Sequence, residues 1–398
     1  MPRFEPFIGL RYDGARVDLS MVIAPPYDVV EPEQRAKLVG RHSANAIRVE
    51  LPEPDHRAGL DRYANAAAQL DRWQRDGILV RDVLPSFYVY RMSEPDGHAT
   101  NGVIGVLGLE PDSVSGVLPH EQTLPKAKSD RLELLRATRT NLSPLWGLSM
   151  HAGLTALFIR DELPDASAID EEGVTHQLWV EDDPDALAQI AAAVDDSPVV
   201  LADGHHRFET ALTYRDERLA TGAVGGADSV MALIVELAPD QLDVGPIHRG
   251  LSGLPDGLDL VDAFSSWFDV TRAGEFTERT TGALGQSGAL ALVTPAGAWL
   301  LSPKDGTPEA AGSPLDTSMV ALVIAELPDH ELDFYHSWPE AITAVSTGAA
   351  QATVLLRPIP VDQIEAWARA GRRLPPKSTY FRPKPRTGMV FRTLDPPG

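Results

Sequence analysis

The chain has 398 residues, 43% of them hydrophobic and 23% charged, the composition of a globular protein with a sizeable core. Its net charge of −22 repels nucleic-acid phosphates and argues against a nucleic-acid partner. The lack of any cysteine excludes disulfides, thiolate catalysis and cysteine-ligated zinc.

The chain opens on Met1-Pro-Arg-Phe-Glu-Pro6, without the basic start and apolar run of a signal peptide, and no apolar stretch approaches the roughly 18–20 residues of a membrane span. The expected location is the cytoplasm, with no membrane partner. Ala24-Pro-Pro-Tyr-Asp-Val29 follows, where two prolines fix φ and predict a stiff extended turn presenting Tyr27 and Asp28. Leu60, Tyr63, Ala67, Leu70 and Trp73 recur at helical spacing, and Gly77 closes that helix. Ser86–Arg91 and Asn101–Leu107 flank a Pro-Asp-Gly turn and predict a hairpin. A helix is expected from Ser129 or Asp130 to about Arg139, with Asp130 and Glu133 as a capping box.

Another helix is expected from Pro184 to Val194, and then an apolar strand from Pro198 to Ala202. Asp203-Gly204 turns the chain, and Phe208–Leu219 is periodic as a helix. Beyond about residue 250 the pattern changes. A second hairpin spans residues 288–301, helices fall near 315–326 and 339–347, and a strand near Ala352–Leu356. The elements predict an α+β fold with mixed and antiparallel sheets, divided into an α+β core over 1–250 and an α+β C-terminal domain over 251–398.

Three clusters carry chemistry. The first is Asp203-Gly204-His205-His206-Arg207 at the exit of the apolar strand. Gly204 permits a turn that a Cβ would block, the helix start favours anions, and Arg207 can hold a phosphate through two nitrogens. Asp203 can act as a base or bind Mg²⁺. The bland alternative is an N-capping aspartate with ordinary loop histidines. Neighbouring residues on a helix point about 100° apart, so His205 and His206 are not expected to share a metal ion, and no metal ligands are assigned.

The second cluster is the Pro-bracketed loop His120-Glu121-Gln122-Thr123, with Lys126, Lys128, Asp130 and Arg131. Glu121 is a general-base candidate and the cations suit a phosphate; a solvated charged loop is the alternative. The third is Lys377-Ser378-Thr379. It ends like a phosphate loop, but the glycines that a Walker A motif needs before Lys377 are missing. It lies in a tail that carries nine Lys/Arg and three acids from Arg357 onward, which reads either as a solvated basic face or as an anion site on an acidic body.

In chain order, Ala24–Val29, His120-Glu121 with Lys128–Arg131, Asn141-Leu-Ser-Pro144, Ala202–Arg207, Pro246-Ile-His-Arg249 and Pro376–Phe381 resemble the motifs of the domain of unknown function 1015 family over nearly the whole chain. Ile247 departs from the threonine that the pattern leads one to expect. By this order His248 and Arg249 join the candidate phosphate-binding residues. Asp203–Arg207 after a strand also resembles the signature of the ParB/sulfiredoxin superfamily, which includes free-serine kinases. That likeness implies a ParB/sulfiredoxin-like core, a nucleotide (ADP or ATP) with Mg²⁺, a catalytic or metal-linked Asp203, and His205, His206 and Arg207 facing phosphates.

Three functions follow as expectations. The first is a phosphotransferase acting on a small hydroxylated metabolite such as free serine, in which Asp203 or Glu121 takes the hydroxyl proton. The second is a phosphomonoester hydrolase. The third is a nucleotide-binding regulatory module without turnover. The oligomeric state is left open.

Overall fold

The computed structural model describes residues 1–119, 128–222, 225–304 and 315–394. The chain forms two compact units. The first comprises Met1–Leu242, Ala368–Arg372 and Pro383–Gly398; the second comprises Asp243–Trp367 and Arg373–Arg382.

In chain order, the first unit contains β1 (Phe4–Glu5), α1 (Arg62–Arg75), β2 (Phe87–Ser93), β3 (Ala99–Gly108), β4 (Val117–Pro119), α2 (Lys128–Thr138) and β5 (Leu145–Ser149). It continues through β6 (Ala166–Ile169), β7 (Thr175–Glu181), α3 (Pro184–Asp195), β8 (Val199–Asp203), α4 (His205–Ala220) and β9 (Ser229–Glu236). Its nine-stranded sheet among the described residues runs β4-β8-β5-β9-β3-β2-β7-β6, and β1 pairs with the end of β3 that β2 leaves open. β4 is parallel to β8 and β5 is parallel to β9, whereas the other neighbours are antiparallel. The fold is therefore α+β with a mixed sheet.

Sequence explains the central position of β3 and β9. Both are almost continuous apolar runs, buried along nearly their whole length, which suits strands covered on both faces. On one side Phe4, Phe87, Val103, Leu201 and Ile234 pack with Ile190 and Val194 of α3 and with Phe208 and Ala211 of α4. A second cluster joins Leu70 and Trp73 of α1 to Leu10, Leu134 of α2 and Phe391. That last contact belongs to the returning tail. Phe391 pairs with Leu10 and Thr387 with Ala24 through backbone bonds, so the tail is stitched into the first unit.

The second unit contains β10 (His248–Ser252), β11 (Phe268–Gly274), α5 (Glu278–Ser287), β12 (Ala291–Thr294), β13 (Gly297–Pro303), α6 (Asp316–Glu326), β14 (Glu331–Tyr335), α7 (Trp338–Thr347) and β15 (Ala352–Leu355). Its six strands run β11-β13-β12-β15-β10-β14, all antiparallel. Asp243–Gly245 pairs separately with Tyr380–Arg382. Among the described residues, no helix is long and apolar enough to cross a membrane.

Three local expectations change. The Asp130–Glu133 capping box is not formed. Asp130 sits inside α2, where its carboxylate takes Arg131, Arg62 and the Tyr63 hydroxyl, and Glu133 pairs with Arg136. Tyr27 and Asp28 lie on a 3-10 turn, Tyr27–Val29, not on extended chain. The extended backbone ends at Pro26, because a proline restrains itself and the residue before it but not the residue after it. Finally, α4 starts at His205, three residues before its apolar periodicity begins.

Candidate functional site

β8 delivers Asp203 to the edge of the apolar core, and Gly204 reverses the chain at φ +89°, a conformation that disfavours any side chain. Phe208 N–H makes the first intrahelical bond to the Gly204 carbonyl, and Gly204 brings no side chain to cap α4. The helix therefore opens with its positive end beside a carboxylate. A Cβ on Gly204 would lie 2.9 Å from Leu145 Cδ2 and 3.2 Å from Arg207 Cζ. Gly204→Ala is thus expected to lower stability by about 1–3 kcal/mol through backbone strain, and to displace Arg207. Denaturant unfolding of the variant checks this.

Cations surround Asp203. Its Oδ2 is 3.3 Å from Lys384 Nζ and 3.4 Å from Arg207 Nη2. Burial alone would push the Asp203 carboxyl up, but Lys384, Arg207 and His205, helped by the Gly204 N–H, hold it well below the usual carboxylate range. Arg207 spans two groups, donating from Nη1 to Ser143 Oγ at 3.0 Å and to the Pro144 carbonyl. Its buried Nε has no hydrogen-bond partner. His205 and His206 occupy the first turn of α4 and are half-buried.

The contact chain continues inward to a residue that the sequence did not single out, Glu50. It is 2% exposed. Ser143 donates to Glu50 Oε1 at 3.3 Å, and Arg131 Nη1 lies 3.8 Å from the same oxygen while donating to the Glu50 carbonyl at 2.8 Å. Glu50 Oε2 has no hydrogen-bond partner. Burial raises the Glu50 pKa; Arg131, Arg207 and the Ser143 hydroxyl oppose that, and Asp28 adds to it. The Arg131 guanidinium lies 4.3 Å from the centre of the Tyr27 ring, a cation–π contact. Burial drives the Tyr27 hydroxyl up to about 12. Glu50, Arg131, Ser143, Arg207 and Thr210, with Thr140 and Asn141, line a cavity of about 60 Å³ that has Leu134, Leu142 and Val230 on its apolar side. A lone acid inside Ala46-Ile-Arg-Val-Glu-Leu51 was the available signal.

The first unit thus brings together Asp203, Gly204, Arg207, Arg131, Tyr27 and Asp28 from the expected set. Lys128 opens α2. His120, Glu121 and Lys126 lie outside the described residues. His248, Arg249, Lys377, Ser378 and Thr379 belong to the second unit. There Arg249 donates to the Ile247 and Lys377 carbonyls at 2.7 and 2.8 Å and lies over Phe334, so it braces the Lys377 turn. Lys377 has a φ of +59°, and the Ser378 hydroxyl donates to the Pro375 carbonyl at 2.6 Å. Thr379 is buried.

His248 is 4% exposed, and its Nδ1 accepts the Leu356 N–H at 3.0 Å. Burial, then Arg249 and His336, pull its pKa down to about 4. Below pH 6.5 the unfolded chain therefore takes up a proton that the native state refuses. Stability from this group is complete above pH 6.5 and falls as the pH drops towards 4, by about 2–3 kcal/mol near pH 4.5. His248→Asn, which keeps an acceptor, should flatten that part of a melting-versus-pH curve.

No group of three His, Asp or Glu suited to a metal occurs among the described residues. Asp203, for which the sequence leaves base and Mg²⁺ binder as alternative roles, faces Lys384 and Arg207. The described residues do not fit a protein-held Mg²⁺ ion.

Residues 4–325 match the family described as "Protein of unknown function (DUF1015)", and the chain belongs to that family. No curated protein matches the chain. Among solved structures it is similar to a conserved hypothetical protein from Pyrococcus furiosus, at 13% identity over 70% of this chain and 91% of that one, with a TM-score of 0.38. It is also similar to a free serine kinase in complex with AMP, at 14% identity over 74% and 92%, TM-score 0.41. A third similar structure is SbnI with a C-terminal truncation from Staphylococcus aureus, at 12% identity over 72% and 86%, TM-score 0.38.

Proposed function

We propose that the chain is a phosphotransferase that moves a phosphoryl group between a nucleotide and a small hydroxylated metabolite. The observation that carries this reading is the turn after β8, where Arg207 and Lys384 converge on one ionised carboxylate at the start of α4. Phosphoryl transfer needs directed positive charge far more than covalent chemistry, and a helix start flanked by two cations supplies it. His205 and His206, in the same first turn, are the further donors assigned to the phosphates. Asp203 fixes the direction of the two cations. Held so far below the usual range, it is a poor proton acceptor near neutral pH, so the acceptor of the hydroxyl proton is sought elsewhere.

The test is phosphorus-31 NMR of the intact chain with ADP or ATP, Mg²⁺ in solution, and a pool of hydroxy acids and polyols that includes L-serine. A parallel tube holds phosphoserine alone. A new phosphomonoester resonance that requires nucleotide is the expected result. Phosphate released from phosphoserine without nucleotide would replace this reading with a hydrolase. Nucleotide lines that broaden with no product would replace it with a regulatory nucleotide-binding module.

A further inference from the structure

We propose that the cavity beside Arg207 receives the small hydroxylated partner of the transfer, and that Glu50 Oε2 accepts that hydroxyl's hydrogen bond and then its proton. This rests on the phosphotransferase reading above, and it names the acceptor subsite and a catalytic residue for it.

Three observations point to a ligand here. Glu50 Oε2, Arg207 Nε and Thr210 Oγ1 are all buried without hydrogen-bond partners, and all three residues line the one cavity. A buried polar atom left unmatched costs about 1–3 kcal/mol, so three in one cavity mark a place that a polar guest completes. Their chemistry is complementary to a hydroxyl compound. Glu50 Oε2 needs a donor, Arg207 Nε needs an acceptor, and the threonine hydroxyl serves either.

Size narrows the guest. At about 10–15 Å³ per water-sized group, a cavity of about 60 Å³ takes roughly four to six such groups. That is the scale of the hydroxyl-bearing end of a three-carbon hydroxy acid or hydroxy amino acid, not of a whole nucleotide. Location connects the cavity to the turn. Glu50 reaches Ser143, Ser143 reaches Arg207, and Arg207 reaches Asp203, each through a side-chain contact of 3.0–3.4 Å.

The burial that raises the Glu50 pKa, despite Arg131, Arg207 and Ser143 facing it, makes it a stronger base than the depressed Asp203. In the step itself the acceptor oxygen bonds to phosphorus as the phosphoanhydride bond to the nucleotide breaks. The leaving nucleotide oxygen keeps that bond's electron pair, and the hydroxyl proton passes to Glu50 Oε2, neutralising the carboxylate.

The experiment has a binding arm and a turnover arm, both on the intact chain. Saturation-transfer NMR without nucleotide follows L-serine and D-glycerate against wild type, Glu50→Gln and Thr210→Val, each checked for native circular dichroism. Wild type is expected to bind one of the two probes, and each variant to bind it about five- to ten-fold more weakly. Absence of binding of either probe to wild type, or binding changed less than two-fold in both folded variants, overturns the cavity assignment. Thr210→Val keeps the volume and removes only the hydroxyl, so it remains informative if Glu50→Gln fails to fold.

In the turnover arm, Glu50→Gln is expected to lower kcat by at least a thousandfold. A drop below three-fold removes Glu50 as proton acceptor while leaving the phosphotransferase reading in place. Probe binding that depends on Glu50 and Thr210, in a chain that transfers phosphate from no nucleotide, keeps the cavity as a hydroxy-acid site and discards phosphotransfer.

Discussion

Asp203→Asn will bind inorganic pyrophosphate about ten-fold more tightly than wild type, yet will transfer phosphate at least a hundredfold more slowly. The opposite directions come from one contact set. In the native chain Lys384 and Arg207 both face Asp203 Oδ2, at 3.3 and 3.4 Å, with all three side chains largely buried. An incoming anion competes with that carboxylate for the two cations. Asparagine keeps the shape and removes the competing charge, so ground-state binding improves; ten-fold is about 1.4 kcal/mol. Turnover falls because only charge aimed at the transferring group lowers the barrier, and cations freed from their anchor bind substrate and transition state alike. Calorimetry with pyrophosphate and phosphorus-31 turnover on the same preparation read both effects. If pyrophosphate bound more weakly to the variant, Asp203 would act through an attracted cation, and its role as anchor for Lys384 and Arg207 would be lost.

The part of this site that could be read from the sequence is the part that is local. An apolar strand, Asp203-Gly204 and a helix starting with His-His-Arg are contiguous, and their geometry follows from turn and helix rules alone. Beyond its place as a lone acid in an apolar segment, Glu50 carried no sign of its role, because its environment is assembled from residues 81 and 93 positions away, Arg131 and Ser143. The basic tail shows the same limit. Its charge excess was legible, but its use was not. Lys384 goes to Asp203, whereas Arg386 and Arg392 are spent inside the first unit; Arg392 donates to Asn141, the Ser229 hydroxyl and backbone carbonyls.

Strands show why some elements were found and others missed. The β2–β3 hairpin carries Pro95-Asp96-Gly97 at its turn, a local signal. β9 is a continuous apolar run with no alternation, which periodicity cannot separate from a buried helix. β14 is exposed over most of its length and pairs with β10 alone among the described residues; its Glu-Leu-Asp-Phe alternation is a strand signal, but one only four residues long. The Asp130 capping box fails for a related reason, because Arg62 and Tyr63 of α1 claim the carboxylate that a purely local rule assigned to a cap.

The largest loss of stability is expected from breaking the buried set around Asp170. Asp170 Oδ2 accepts from His176 Nε2 at 2.9 Å and from Arg386 Nε at 2.8 Å, and its Oδ1 accepts the backbone N–H groups of Glu172 and Val174. His176 Nδ1 meets the Tyr90 hydroxyl at 2.7 Å, and that hydroxyl accepts the Arg386 N–H at 3.2 Å. The set therefore fastens the returning tail to β7 and β2. Asp170→Ala leaves the buried Arg386 charge only the exposed Glu172, whose Oε1 lies 3.4 Å from Arg386 Nη2, and should cost about 3–5 kcal/mol. That corresponds to a fall in Tm on the order of 10 °C for the first unit. Arg386→Met should also destabilise, and the double variant should lose at least about 2 kcal/mol less than the sum, because the second change no longer strands a charge.

The pH dependence has a definite sign. Burial drives the His176 pKa down against the pull of Asp170, so the native imidazole stays neutral, and stability declines as the pH falls below 6.5. Burial would raise Asp170, but His176 and Arg386 hold it far below the usual carboxylate range, so its contribution is full above about pH 4 and fades in stronger acid. Wild type should therefore weaken in two acid steps, and Asp170→Ala should lose the lower one. Additive single-variant losses, or an unchanged lower step, would mean that the tail is held by the Phe391 and Thr387 backbone pairings and not by this charge network.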